Sequence, residues 1–207
     1  MTVQSVPSTG MTFDEFITWY PNESTVKYEL RDKQVIEIPR GSGDRSLVVG
    51  NIRSEIQIKL RRLCLPYSIP GSCLVKIPGK DTGYQPDIVV LDRSAMSSES
   101  RWLESSIILN PGSIQLAIEL TDENWETSYL WKKIDYEEMG VAEYWIADYQ
   151  NKVKFEGDGN DGFPKLFVCN LTNGAYHTKI FSGDEAIESV VFPCFNLTVN
   201  QLFRQKP

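Results

Sequence analysis

An apolar run that carries a carboxylate constrains this chain more than any other feature. Leu116-Ala117-Ile118-Glu119-Leu120 reads as a buried strand, with Glu119 inside it. A charge in such a strand is costly unless it is paired or bound to a metal. The chain then passes through a polar turn into an amphipathic segment, Glu126–Met139, that holds Lys132. Gly140 suits the C′ position that ends this helix, and a second apolar run follows at Tyr144–Asp148. Strand, helix, strand in this order favours a parallel pair with a right-handed crossover.

Helical spacing decides which lysine faces inward. At about 100° per residue, Lys132 falls between Tyr136 and Met139, whereas Lys133 falls between Tyr129 and Glu137. Lys132 therefore has the apolar neighbours, and Lys133 has a carboxylate one turn on, on the solvent side. An ammonium on an inward stripe needs a nearby negative charge; Glu119 is the natural supplier. A second carboxylate stands at Asp87, at the mouth of Ile88-Val89-Val90-Leu91, a continuous apolar run of the kind found in strands covered on both faces.

Two carboxylates and a lysine are the parts that metal-assisted phosphodiester hydrolysis uses. Carboxylate oxygens hold Mg²⁺, the ion polarises the phosphate, and the lysine orients or deprotonates water and offsets charge on phosphorus. The bland alternative is a structural ion pair between Glu119 and Lys132, with Asp87 as a turn or cap residue.

Bulk properties narrow the function classes. A chain of 207 residues with 41% apolar and 24% charged residues is an ordinary globular composition. We expect a loose tail over 1–10 and a single domain over 11–207. One histidine, His177, argues against imidazole-based hydrolysis, and Cys64, Cys73, Cys169 and Cys194 lack the spacing of a zinc site. These thiols are expected reduced and packed. The N-terminus shows neither a basic segment nor an apolar one of the secretory kind, and no apolar run approaches about 18 residues. The expected compartment is the cytoplasm, with no membrane partner. A net charge of −7 does not advertise nucleic-acid binding; Arg53, Lys59, Arg61 and Arg62 are the candidate for a local basic face, with a solvated helix face as the favoured bland reading.

Along the rest of the chain, Thr12 and Glu15 form a capping box before a short helix stopped by Pro21. Val26–Arg31 and Gln34–Ile38 form a hairpin turning at Asp32-Lys33, and Glu29 points away from the face of Tyr28 and Leu30. From Ser46, Ile52, Ile56, Leu60 and Leu63 make a helical stripe, and Ser72–Ile77 reads as a strand. Ser94–Asn110 is an irregular connection with room for a short helix. The C-terminal part is β-rich: strands at Lys152–Glu156, Leu166–Leu171, Ala175–Phe181 and Ser189–Phe192, a hairpin turn at Asn173-Gly174, and a last helix capped by Thr198. The fold class is α/β.

The chain resembles the Uma-type endonuclease family, a branch of the PD-(D/E)XK restriction-endonuclease-like superfamily, on Thr12–Trp19, Lys27–Val35, Gln85–Leu91, Ile118–Trp125 and above all Tyr129–Tyr149. The resemblance implies a restriction-endonuclease-like mixed central sheet flanked by helices. It implies Asp87 and Glu119 as ligands of Mg²⁺ or Mn²⁺ and Lys132 as a catalytic lysine moved from the strand onto the following helix. Glu29 matches a recurrent family glutamate that completes the catalytic set. DNA is the implied substrate and partner, and a homodimer is the assembly common in the superfamily. The departures are Asp122 where a serine is usual, Thr127 and Ser128 where an acidic residue often precedes the lysine, Asp32-Lys33 in place of an Asp-Gly turn, and Arg45 where many members have histidine. A catalytically inactive nuclease-fold binding or regulatory module is the alternative. A self-associating structural protein is a third.

Overall fold

A computed structural model of the chain describes residues 10–21, 26–121, 125–153 and 162–203, without the side chains of Ser128 and Tyr129. In chain order the elements are α1 (Phe13–Trp19), β1 (Lys27–Arg31), β2 (Gln34–Ile38), α2 (Gly43–Arg62), β3 (Tyr67–Ser68), β4 (Leu74–Lys76), β5 (Gly83–Tyr84) and β6 (Ile88–Asp92). They continue with α3 (Trp102–Ser105), β7 (Ile107–Ile108), β8 (Ile114–Leu120), α4 (Lys133–Met139), β9 (Glu143–Asp148), β10 (Lys165–Thr172), β11 (Ala175–Ser182) and α5 (Val199–Phe203).

Among the described residues the strands form a six-stranded central sheet, β11-β10-β9-β8-β6-β3, and a five-stranded sheet, β2-β1-β5-β4-β7. The central sheet is mixed: β8 and β9 run parallel, as the strand-helix-strand pattern requires, and its other neighbours are antiparallel. Period-two alternation divides its side chains between two cores. Ile88, Val90, Leu116, Ile118, Leu120 and Trp145 pack under Val48, Ile52, Ile56 and Leu60 of α2, and under α5. Val89, Ala117, Tyr144, Ile146 and Phe167 face Tyr136 and Met139 of α4 and Val75, Ile77 and Tyr84 of the second sheet. The outer face of the second sheet is closed by Phe13 and Phe16 of α1 against Tyr28 and Leu30. That second sheet leaves a seam between the two sheets, and Glu29 faces into it because Tyr28 and Leu30 face α1.

Local chemistry explains most boundaries. Thr12 and Glu15 make the expected capping box on α1. Both hairpins turn through left-handed residues, Asp32 and Lys33 (φ 47° and 68°) and Asn173 and Gly174 (φ 53° and 81°), the twist that two-residue hairpins require. Gly140, at φ 86°, ends α4 as expected. α2 starts at Gly43, earlier than the apolar stripe, because Ser42 caps it by accepting from the Arg45 N–H.

Several expectations need correction. Glu126–Met139 is not one α-helix: Thr127–Lys132 is a π-helical turn that passes into α4 at Lys133. Ser189–Phe192 is no strand, because the Ser189 hydroxyl and the N–H groups of Val190 and Val191 donate to the Glu143 carboxylate instead of to a ladder. Of the strand expected at Lys152–Glu156, the N–H groups of Lys152 and Val153 are held by Asp148, and 154–156 lie outside the described residues, as do Asp122 and the expected tail up to residue 9. Cys73 and Cys169 are buried thiols, but Cys64 and Cys194 are exposed; all four are free. Burial pushes the Cys73 thiol up to about 12. The face of Arg53 and Lys59 is not simply solvated: Arg53 donates to the carbonyls of Pro70, Gly71 and Asp87, and Lys59 to that of Cys194. Among the described residues no helix is long and apolar enough to cross a membrane.

Candidate active site

Register brings the two carboxylates of the central sheet together. β6 and β8 pair Val89 with Ala117 and Ile88 with Ile118, so one step further sets Asp87 opposite Glu119. The Leu120 N–H donates to Asp87 Oδ2 at 2.8 Å, which fixes the Asp87 side chain over the end of β8. The π-helical turn delivers Lys132 from the other side. Its Nζ donates to Glu119 Oε1 at 2.9 Å and to Glu29 Oε1 at 2.8 Å, and it lies 5.2 Å from the centroid of the Tyr84 ring. Lys132, Glu29 and Glu119 are each about 95% buried (5%, 4% and 4% exposed). The structure thus brings all four expected residues, Glu29, Asp87, Glu119 and Lys132, to the wall of one cleft of about 300 Å³.

The second sheet supplies the supports. Glu29 Oε1 also accepts the Gln85 N–H at 2.9 Å, which ties β1 to the segment leading into Asp87. Beneath Lys132, the Tyr84 hydroxyl donates to Asp135 Oδ2, and Lys80 closes the same carboxylate at 2.6 Å. The hydroxyl of Tyr136, fully buried four residues after Lys132, has no hydrogen-bond partner among the described residues.

Arg45 is the residue that sequence reasoning did not place here. It reaches from the first turn of α2, and its Nη2 meets Asp87 Oδ2 at 2.6 Å while its Nη1 donates to the Leu120 carbonyl at 3.0 Å. The one available signal was its departure from the histidine common at that position. Lys27 and Arg31 flank Glu29 on the same face of β1 and also line the cleft. Another cleft of similar size, about 330 Å³, has Glu104 but no lysine or arginine on its walls.

Burial raises the pKa of the Glu119 carboxyl above its ordinary value; Lys132 opposes the rise, and nearby Asp87 and Glu29 add to it. Burial works against the Lys132 ammonium, but Glu119 and Glu29 outweigh it and hold its pKa above the ordinary value. Lys132 is therefore a stable cation and a hydrogen-bond donor in this arrangement. Among the described residues no group of three His, Cys, Asp or Glu side chains is spaced to hold a metal ion.

The chain matches the model of the Uma2 family, described as "Putative restriction endonuclease", over residues 13–200. It belongs to that family. Uma2 is part of the PD-(D/E)XK-like superfamily, and the mixed central sheet with flanking helices and a β-rich C-terminal region is the fold expected of a member. The fold is also similar to the crystal structure of a "putative nuclease belonging to DUF820" from Anabaena variabilis ATCC 29413. That likeness has a TM-score of 0.69 and 19% identity, and covers 94% of this chain and 98% of the other. No curated protein matches the chain.

Proposed function

We propose that this Uma2 member is a metal-dependent endonuclease that hydrolyses DNA phosphodiester bonds at the Glu29, Asp87, Glu119 and Lys132 cluster. The observation that carries the reading is the Lys132 ammonium, buried between Glu29 and Glu119 beside Asp87 on the wall of a cleft. A purely structural ion pair has no need of a third carboxylate or of a place on a cleft wall.

The donor set fits a hard divalent ion in kind: carboxylate oxygens from Asp87 and Glu119, with the Glu29 carboxylate close by. Those two residues are the proposed holders of Mg²⁺ or Mn²⁺. When bound, the ion supplies Lewis-acid polarisation of the scissile phosphate. Lys132, kept protonated by its two carboxylates, stabilises negative charge as it builds on phosphorus. Glu29 is a positioning residue that fixes Lys132 through one oxygen while tying down Gln85 with the same atom. Lys27, Arg31 and Arg45 supply positive charge along the cleft for a phosphate backbone. A homodimer suits the cutting of two strands, and the cytoplasm is the proposed compartment.

One observation favours a second reading, an inactive nuclease-fold binding module: Arg45 already occupies the Asp87 carboxylate. The two are separated by incubating the protein with supercoiled, linear duplex and single-stranded DNA in Mg²⁺ or Mn²⁺, with a chelator control. Cleavage that the chelator stops is the expected result. Folded protein that cuts none of the three DNA forms sinks the nuclease reading.

A further inference from the structure

Arg45 and a divalent ion have use for the same carboxylate. The α2 N-terminus fixes the Arg45 backbone, because the Ser42 hydroxyl accepts its N–H at 3.2 Å. From there the side chain crosses to the end of β8, donating to the carbonyls of Leu120 and Thr121 and to Asp87 Oδ2. Both partners of the ion pair are mostly buried, with side chains 18% and 12% exposed.

The path is built for that side chain. A Cβ added at Gly41 would come within 2.5 Å of Arg45 Cδ and 3.4 Å of its Cγ. Gly41 thus leaves room for the stem of Arg45, and any larger residue there displaces it. Charge points the same way. Glu29, Asp87 and Glu119 face two cations, Lys132 and Arg45. With all three carboxylates ionised, as they are when they hold a metal, a divalent ion added beside both cations overcharges the cluster, whereas a divalent ion beside Lys132 alone balances it. A buried cation beside a second one, with no extra anion, is disfavoured.

We propose that the Arg45 guanidinium is a built-in competitor of the metal, holding Asp87 until a divalent ion displaces it. The inference rests on the reading of Asp87 and Glu119 as metal ligands. Its consequence is that the chain sets its own metal threshold: affinity for the ion is lowered by the share of molecules in which Arg45 holds the site.

The test measures metal binding without DNA. Mn²⁺ is titrated calorimetrically into the wild type, Arg45→Ala, Gly41→Ala and the Arg45→Ala/Asp87→Asn double variant, each checked for a native circular dichroism spectrum. Gly41→Ala keeps the arginine and only pushes its stem aside, so it serves even where Arg45→Ala fails to fold. Binding about tenfold tighter in the folded single variants, with the gain lost in the double variant, is the expected result. Affinity equal to or weaker than wild type in them overturns the proposal. On the wild type itself, the Arg45 Nε–Hε resonance, assigned by its loss in Arg45→Lys, moves as Mg²⁺ saturates the site; an unmoved resonance overturns the proposal too. Mn²⁺ binding by none of the proteins removes the metal reading and this inference together. Variants that bind Mn²⁺ more tightly through Asp87 yet cut no DNA leave the role of Arg45 standing and sink the nuclease reading alone.

Discussion

Two buried glutamates stand on neighbouring parallel strands and are held in opposite ways. Glu119 of β8 and Glu143 of β9 are both almost fully removed from water. Glu143 is answered by neutral donors: the Ser189 hydroxyl at 3.0 Å, the N–H groups of Val190 and Val191 at 2.7 and 3.0 Å, and the Trp145 indole. It pins an irregular C-terminal segment to the end of the central sheet. Glu119 is answered by an ammonium that it shares with Glu29, and it opens on a cleft. Glu99 and Asp148 follow the Glu143 pattern, each accepting two backbone N–H groups and a hydroxyl. A buried carboxylate is thus no mark of a site by itself. What separates the candidate site from the structural carboxylates is the kind of donor and a place on a cleft wall.

The contrast can be broken most directly with one isosteric pair. Glu119→Gln is expected to lower metal-dependent plasmid cleavage by about 10³-fold or more, since it removes a proposed ligand and a partner of Lys132. Glu143→Gln is expected to leave cleavage per folded molecule unchanged. Equal losses in the two variants would erase the distinction.

Stability should sort the glutamates in a different way. Glu143→Ala strands several buried donors and is expected to lower the unfolding free energy by about 3 kcal/mol, read from urea melts. Titration sharpens the same point. Burial raises the Glu143 pKa above its ordinary value of 4.5, although hydrogen bonds from Val191, Ser189, Trp145 and Val190 oppose the rise. The native state then keeps this proton longer than the unfolded chain does. Its contribution to stability is present below 4.5 and is lost as pH rises through the raised value. Urea midpoints followed upward from pH 4.5 are expected to fall less in Glu143→Gln than in wild type. Thr12→Ala, in the capping box of α1, should remove about 1 kcal/mol and leave both the cleavage and the pH slope alone. It calibrates what a purely local loss looks like.

Much of the geometry of the candidate site was legible in the sequence because it follows from periodicity. Alternation turned Glu29 away from Tyr28 and Leu30, and a wheel anchored on Tyr136 and Met139 chose Lys132 over Lys133. Arg45 was not legible as part of the site: a long side chain crossing from a helix to a distant strand end leaves no local pattern. The π-helical turn was hidden for a related reason, since the apolar stripe beyond Lys132 reads the same whether the preceding turn is α or π. Ser189–Phe192 looked like a strand because Val190, Val191 and Phe192 are β-prone residue types, but the N–H groups of Val190 and Val191 go to Glu143. The second sheet is built largely from two- and three-residue strands, β4, β5 and β7, too short to carry a period.

The central claim is that the Lys132 cluster is a working hydrolytic site. Its most direct test is Mn²⁺-dependent nicking of supercoiled plasmid by wild type and by Lys132→Ala, each shown to be folded. The account predicts nicking by the wild type and a loss of about 10³-fold or more in the variant. Equal nicking by both proteins would contradict it.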